Sequence, residues 1–567
     1  MLKQNQEKVD DPESANDEEC SSDDGLSRRE VPFALIENPD PNQIAWERTR
    51  LLTIRWSVSR THLGNNIKQR KAFETATDNV IKRHLKEDGI EQLIMFIGGA
   101  AGTGKSRVID AITEFHRLIN LSHTLKLSAL TGTAAKNIRG STTASMFCTY
   151  ESTQSKTSVK TRLQNKFRDV ETVIIDEISM AGCIHLANIS KSLAHAKSMS
   201  PECPFGGVDM IFFGDFAQYP PIGDSPLYTG WSKTSTRSKY PKAEEKKQLG
   251  LNLWKQLNKI VLLDQQMRCT DPEYLGILGR MREGKCTEAD IDRLNSRVIS
   301  NDVDITSFVD VPIIAPGNQL VMAVNDLFCQ KHSRRRKVYV STAKDYTGTK
   351  NNQKRISRRI ADFVKNLPAT ATEGLPRELH LFVGMPVFVT RNLHTELGIT
   401  NGATGKIASI HYRAENVIQG TDSGLHRIEH SPEYIIVEMD HVSMRRLEGL
   451  PPNHVPIFPR TRSVCVKMPR MKKKTSFSRC QFPIVPKFSC TSHKSQGQTL
   501  PKAIVDLTPT GRHIGVEFAY VPLSRVRTLS DLMLLRPIDR SILRIRVNEA
   551  CAVMMEEFKD RDICKDM

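Results

Sequence analysis

The chain has 567 residues, 39% of them hydrophobic and 26% charged, with a formal net charge of +17. Roughly three or four domains fit in that length, and the composition is ordinary for a soluble globular protein. No apolar run reaches the roughly 18 residues that span a membrane. The opening MLKQNQEKVDDPESANDEEC lacks the apolar core of a secretory signal and is too acidic for a mitochondrial transit peptide. Twelve cysteines form no CxxC pair and no Cys/His cluster at zinc spacing. Reduced thiols, in the cytosol or nucleus, and no structural metal are expected.

Residues 1–45 are acidic and poor in aromatics and read as a disordered tail. The first strong signal follows at Leu93 to Ile97, an apolar run that reads as a buried strand. It leads into GGAAGTGKS, which holds the pattern G-x-x-x-x-G-K-[ST] from Gly99 to Ser106. Val108, Ile112, Phe115 and Ile119 then recur at helical spacing. Strand, glycine loop and helix together make a phosphate cradle: backbone N–H groups turn inward where no Cβ blocks them, and the helix start adds its positive dipole end. Lys105 is placed to reach the β- and γ-phosphates, and Ser106 to hold Mg²⁺.

Thr124 to Leu130 reads as a second strand and Val170 to Ile175 as a third, which delivers Asp176 and Glu177. Adjacent residues at a strand end can point differently, so one acid can hold Mg²⁺ while the other positions and deprotonates a water. Val208 to Phe213 is a fourth strand, followed by GDFAQYPP with Gln218, a candidate γ-phosphate sensor. Strands that end in polar motifs, with helices between, argue a parallel sheet with its site at the carboxyl ends. Arg268 and Arg525 are candidates for stabilising charge on a transferring phosphoryl group. Past a helical linker near Leu275 to Leu294 the α/β pattern restarts at Val311 to Ala315. It resumes at Ile484 to Cys490, Ala503 to Leu507 and Leu532 to Leu535, and Ser541 to Phe558 closes as an amphipathic helix. A basic stretch at about 333–373 and a β-like stretch at about 407–482 interrupt this second unit. Pro451 to Val505 contains no acid, and Lys331 to Arg359 is also strongly basic, which together favour a polyanionic partner.

In order, GGAAGTGKS, TGTAAKNIRGSTTASMF, IIDEISM, PFGGVDMIFFGDFAQYPP, LGITNGATGKI, TSHKSQGQTL and YVPLSRVR resemble the motifs of PIF-type DNA helicases, a branch of superfamily one. The PFGG run and the wording EISM favour this branch over the RecD type. Helitron transposons carry the same helicase type, but this chain is too short for a complete transposase of that kind. The resemblance implies an α/β fold of two RecA-like parallel-sheet lobes, the first over 46–265 with a wedge at about 149–169. A helical linker over 266–310 follows, then a second lobe over 311–406 and 483–567 with an SH3-like β barrel inserted at 407–482. It implies ATP and Mg²⁺, held by Gly99, Gly102, Thr103, Gly104, Lys105 and Ser106, with Gln69 at the adenine edge. Asp176 and Glu177 become the metal carboxylate and the base, Gln218 the sensor, and Arg268 and Arg525 the cations that reach the phosphates. Thr131, Asn401, His493 and Lys494 would line a single-strand track. The implied activity is ATP-driven 5′ to 3′ movement on single-stranded DNA and unwinding of forked DNA. The implied settings are repair, recombination, telomere maintenance or a transposon, in the nucleus of a eukaryote or otherwise the cytoplasm. An ATP-controlled clamp that does not unwind and an RNA-directed helicase stay open as alternatives. Tyr219 stands where the family usually has leucine, and Pro522 where it usually has alanine.

Overall fold

The computed structural model describes residues 40–567 apart from 148–155, 233–240, 301–307, 309–310, 349–351, 366, 368, 395–396, 413–417, 421–424, 429–430, 441–446, 469–473 and 510–513. Most of the expected acidic tail therefore lies outside the described residues. Its inner limit is Asp40 rather than residue 45. Asp40 caps the helix Pro41–Leu63 with a capping box shared with Gln43, which satisfies two orphan donors of the first turn.

Six strands build the first lobe: β1 (Ile94–Gly99), β2 (Leu125–Ala129), β3 (Ser141–Thr142), β4 (Thr172–Asp176), β5 (Asp209–Gly214) and β6 (Lys259–Leu263). Every pairing is parallel, in the order β3-β2-β4-β5-β1-β6. A parallel sheet is covered on both faces, so its central strands read as unbroken apolar runs. Phe96 and Phe212 pack into one core beside Trp254. Met95, Ile97 and Phe213 pack into the other, against Phe73 and the Val108, Ile112 and Phe115 stripe of the helix Lys105–Leu118.

The chain next lays down β7 (Ile313–Ala315) and enters a β-rich region. This comprises β8 (Val338–Thr342), β9 (Lys344–Thr347), β10 (Lys354–Arg355), β11 (Glu378–Leu381), β12 (Pro386–Val389), β13 (Thr404–His411), β14 (Ile418–Gly420), β15 (Leu425–Ile428), β16 (Tyr434–Met439), β17 (His454–Ile457), β18 (Arg460–Val466), β19 (Thr475–Gln481) and β20 (Ile484–Pro486). It returns with β21 (Ser489–Thr491), β22 (Ala503–Val505) and β23 (Leu532–Leu534), which pair in parallel around β7 in the order β21-β7-β22-β23. This is the second parallel sheet.

The inserted β unit is wider than 407–482. Its five-stranded antiparallel sheet, β17-β16-β13-β12-β20, begins at Pro386 and ends at Pro486. Ile484 to Cys490 is accordingly two strands, not one: β20 edges the inserted sheet, and β21 enters the second lobe. The basic stretch at 333–373 is not a loose insertion either. β8 joins β11 and β15, while β9 and β10 join β18 and β19. Arg479, one cation of the acid-free run, is fully buried and gives two 2.8 Å hydrogen bonds to the buried Asp345.

Two further boundaries move. Residues up to 155 of the expected wedge lie outside the described residues, and the remainder is the helix Lys156–Phe167. Its Leu163 and Phe167 are buried in the first lobe, with Phe167 stacked on Phe147, so this part is seated rather than projecting. The closing helix is Glu549–Asp560, preceded by a single tight turn at Arg540–Arg544. It does not belong to the second lobe. Cys551, Met554 and Phe558 join the first-lobe core, where Phe558 lies 5.4 Å from Phe96 between ring centroids. Trp231 Nε1 donates to Glu557 at 2.6 Å, and the N–H of Ile563 donates to the carbonyl of Ile260 at 3.1 Å. No described helix is long and apolar enough to cross a membrane. Phe558→Ala is expected to cost roughly 3–5 kcal/mol through cavity formation. Urea unfolding of the first lobe checks this, and an unchanged midpoint would deny the docking.

Candidate active site

β1, between β5 and β6, delivers the glycine loop at its carboxyl end. Gly102 and Gly104 sit at φ 94° and 86°, the left-handed region that glycine occupies without penalty. Side chains there would collide with Gln266 and Gln69. Gln69 lies under the loop rather than in the cleft: it is 1% exposed, and its Nε2 donates to the Thr103 carbonyl at 2.9 Å. Thr103 Oγ1 donates to the Ala100 carbonyl at 3.0 Å, and Gly99 abuts Thr103 from the strand end. Gln69, Gly99 and Thr103 thus brace the loop from behind. Lys105 Nζ donates to the carbonyls of Gly99 at 2.7 Å and Ala100 at 3.1 Å.

In front of the loop lies a cavity of about 230 Å³. Lys105, Ser106, Asp176, Glu177, Gln218, Arg268 and Arg525 all line it. Residues from four elements of the first lobe, the start of the linker and the second lobe therefore meet at one place. The electrostatics are opposed and unresolved. Burial pushes the Lys105 ammonium down, while Asp215, Glu177 and Asp176 hold it up. Burial, and the Glu177 carboxylate next to it, push Asp176 up to about 7. Burial and the neighbouring Arg525 push Arg268 down to about 10, and burial lowers Arg525 too. The cationic wall therefore favours a polyanion, and the acidic wall favours a cation. The donor set beside Asp176, with the Ser106 hydroxyl in the same cavity, suits a hard cation that takes oxygen ligands and keeps several of its own. No cluster of three or more His, Cys, Asp or Glu is present among the described residues.

Glu177 holds φ 57°, uncommon for a residue with a side chain. Such strain persists only where its surroundings over-determine it. Here the Asp176 carboxylate accepts the Glu177 N–H at 2.8 Å, and Gln496 Nε2 of the second lobe donates to Glu177 Oε2 at 3.1 Å. The Oε1 atoms of Gln218 and Gln496 are buried without a hydrogen-bond partner, acceptors left over for a ligand or water. Arg525 points its guanidinium at its own lobe: Nε donates to Val521 O at 2.8 Å, Nη1 to Gln498 O at 3.3 Å and Nη2 to Ser524 Oγ at 2.6 Å. Pro522 sits in the last turn of the helix Glu517–Leu523 without diverting Arg525 from the cavity.

Three residues that sequence reasoning passed over complete the cleft. Asp215, 1% exposed, accepts from Arg282 Nη2 at 2.8 Å and from the Tyr520 hydroxyl at 3.3 Å. The N–H of Ala101, in the glycine loop, donates to the same Tyr520 hydroxyl at 3.1 Å. Gln218 Nε2 reaches Asp215 at 3.4 Å. Sensor, linker and second lobe thus meet on one buried carboxylate, and the loop joins them through the Tyr520 hydroxyl. Asp215 and Tyr520 lie inside quoted motif strings, a usable signal. Arg282, in the helix Pro272–Arg282, carried none.

The four residues expected on a single-strand track do not share one cavity. Thr131 caps the helix Gly132–Asn137, and the Asn401 carbonyl presses on Gly132, so these two adjoin between the first lobe and the inserted β unit. His493 stacks on Tyr219 with centroids 3.7 Å apart. The Lys494 ammonium lies 5.5 Å from the Phe388 ring centroid and lines a separate cavity of about 270 Å³.

Two parallel-sheet lobes, a glycine-loop cradle and a shared charged cleft define a two-lobed P-loop nucleoside-triphosphatase fold. Residues 65–292 match the family model described as PIF1-like helicase. The chain is similar to the ATP-dependent DNA helicase Pif1 of Bdellovibrio bacteriovorus, 26% identical over 79% of this chain and 85% of that one. It is also similar to the ATP-dependent DNA helicase PIF7 of Trypanosoma brucei brucei, 24% identical over 78% of this chain and 44% of that one. The chain therefore spans less than half of the trypanosome protein's length. The crystal structure of Pif1 helicase from Candida albicans shares the fold, with a TM-score of 0.60 at 20% identity over 87% of this chain and 99% of that one.

Arg282→Ala strands the Asp215 charge and is expected to cost roughly 3 kcal/mol at neutral pH. In the wild type, burial pushes Asp215 up, but Arg282 and Lys105 outweigh it and hold the carboxyl below its ordinary value. The pair's contribution is therefore complete above about pH 4 and is lost only on further acidification. In the variant burial regains weight, so the stability gap should widen as pH rises from about 4 toward neutrality. Urea midpoints across that range measure it, and a flat gap would contradict the assignment.

Proposed function

We propose that this chain is an ATP-dependent DNA helicase that moves 5′ to 3′ along single-stranded DNA and parts the duplex at a fork. One observation carries the reading. The acids, lysine and sensor of the first lobe share a cavity with Arg525 of the second lobe, so a ligand there touches both lobes at once. In a eukaryote the place of action on this reading is the nucleus.

The mechanism follows from the residues. A triphosphate entering the cleft supplies the anion that Lys105, Arg268 and Arg525 lack. Lys105 exchanges two loop carbonyls for phosphate oxygens. Asp176 and Ser106 would hold Mg²⁺, whose chemistry is to neutralise charge on the phosphates. Glu177 is poised to orient a water and take its proton, once Gln496 releases or shares its carboxylate. Gln218 offers an uncharged acceptor to that water or a donor to phosphate. Arg525 turns from Val521 and Gln498 toward the cleft, which draws the second lobe inward. Loss of the γ-phosphate removes that pull, and the grip on DNA shifts as the lobes part. Opening a base pair costs on the order of 1–2 kcal/mol of stacking, so coupling rather than energy limits the cycle.

Strand displacement on forks with 5′ or 3′ overhangs, beside ATPase stimulation by single-stranded DNA and by RNA, tests the proposal. Displacement from the 5′ overhang only is expected. ATP hydrolysis without displacement would identify a clamp, and stimulation by RNA alone an RNA-directed enzyme. Lys105→Ala should abolish ATPase and retain DNA binding. Arg525→Ala should lower turnover by about 10³-fold or more with nucleotide affinity changed only a few-fold. Wild-type turnover in either variant would remove its residue from the mechanism.

A further inference from the structure

Among the described residues the sheet β10-β9-β19-β18 carries a packed core on one face only. The helix Arg358–Lys365 lies on that face, where Val364, Val464, Val466, Met468 and Phe477 form a small core. Asp345, the acid of β9, also points to that side, buried with Arg479 and bonded to the half-buried Arg377. Strand alternation sends the intervening residues to the opposite face, and the registers set them in rows across the strands. Arg355, Tyr346, Ser478 and Ser463 form one row. Lys344, Cys480 and Thr461 form the next. Each of these residues is exposed or half-buried. None is acidic, and the face offers hydroxyls, two kinds of cation and a single aromatic ring.

We propose that this open sheet face binds single-stranded nucleic acid at a surface separate from the motor cleft. Phosphate oxygens accept from Lys344, Arg355 and the hydroxyls of Ser463, Ser478 and Thr461. The Tyr346 ring, flanked by Arg355 and Ser478, is a platform on which one base stacks. A flat sheet suits a splayed single strand, whereas duplex grooves take a protruding helix or ribbon. A protein partner would need an apolar centre, which one ring among hydroxyls does not supply. The surface stands whether or not the cleft drives unwinding, because none of its residues lines the cleft. It holds the strand at a second point, so the occluded length exceeds what the lobes alone cover.

The test uses the full chain, without nucleotide, on labelled DNA and RNA single strands of about 40 nucleotides, a length that spans several binding footprints. Lys344→Ala/Tyr346→Ala/Arg355→Ala should weaken binding about tenfold. Two lost phosphate contacts should make the salt dependence shallower by about 1.4 in log–log slope. Melting temperature and basal ATPase should stay as in the wild type. Equal losses on DNA and RNA mean backbone recognition, and loss on one alone names the strand it serves. In a second measurement p-benzoylphenylalanine in place of Ser463 should photocrosslink to the strand, which keeps the test valid if the triple variant folds poorly. Unchanged affinity with no crosslink to the strand overturns the proposal, as does a loss confined to duplex or a crosslink only to protein.

Discussion

Buried like charges held side by side are what this structure is organised around. Asp176 and Glu177 adjoin in the lining of the cleft, and in the same lining burial and the neighbouring Arg525 push Arg268 down. Burial and a like-charged neighbour disfavour the charged forms of Asp176 and Arg268, which an incoming cation and polyanion would restore. A fold that holds such groups side by side must be rigid around them. The two apolar cores of the first lobe, one on each face of the parallel sheet, do that. The glycine loop does it locally, braced from beneath by Gln69.

Several polar contacts between the lobes converge on the cleft. Gln496 reaches Glu177, Tyr520 touches both Asp215 and the glycine loop, and Asn137 donates to the Gly497 carbonyl at 3.1 Å. Each ends on a group that also faces the cavity or neighbours one that does. Occupancy of the cleft and the spacing of the lobes therefore share the same hydrogen bonds, which is what coupling between ligand and conformation requires. Tyr219 adds one more link: it directly follows Gln218 and stacks on His493 of the second lobe.

Much of this was legible because it is local. Unbroken apolar runs marked β1, β4 and β5, since strands buried on both faces leave no polar side. The loop residues, Asp176, Glu177 and Gln218 follow directly from those strand ends. What escaped depends on partners distant along the chain. The Arg282–Asp215 pair joins residues far apart in sequence, and nothing near Arg282 marks it. The alternation of Ile484 to Cys490 says strand but not which sheet, and two sheets divide it. Cation density around Arg479 suggested a polyanionic partner, yet Asp345 holds this arginine buried. The Met554 and Phe558 stripe announced a packed helix without naming the lobe that receives it.

That last docking changes the kinematics. The backbone passes from the first lobe to the second after β6 and comes back after β23, to end beside Ile260. A body tethered to another at one point can swivel in any direction. Tethered at two, it keeps chiefly the rotation about the line through both attachments. The returning tail thereby turns a ball joint into a door hinge, and the cleft opens along one arc.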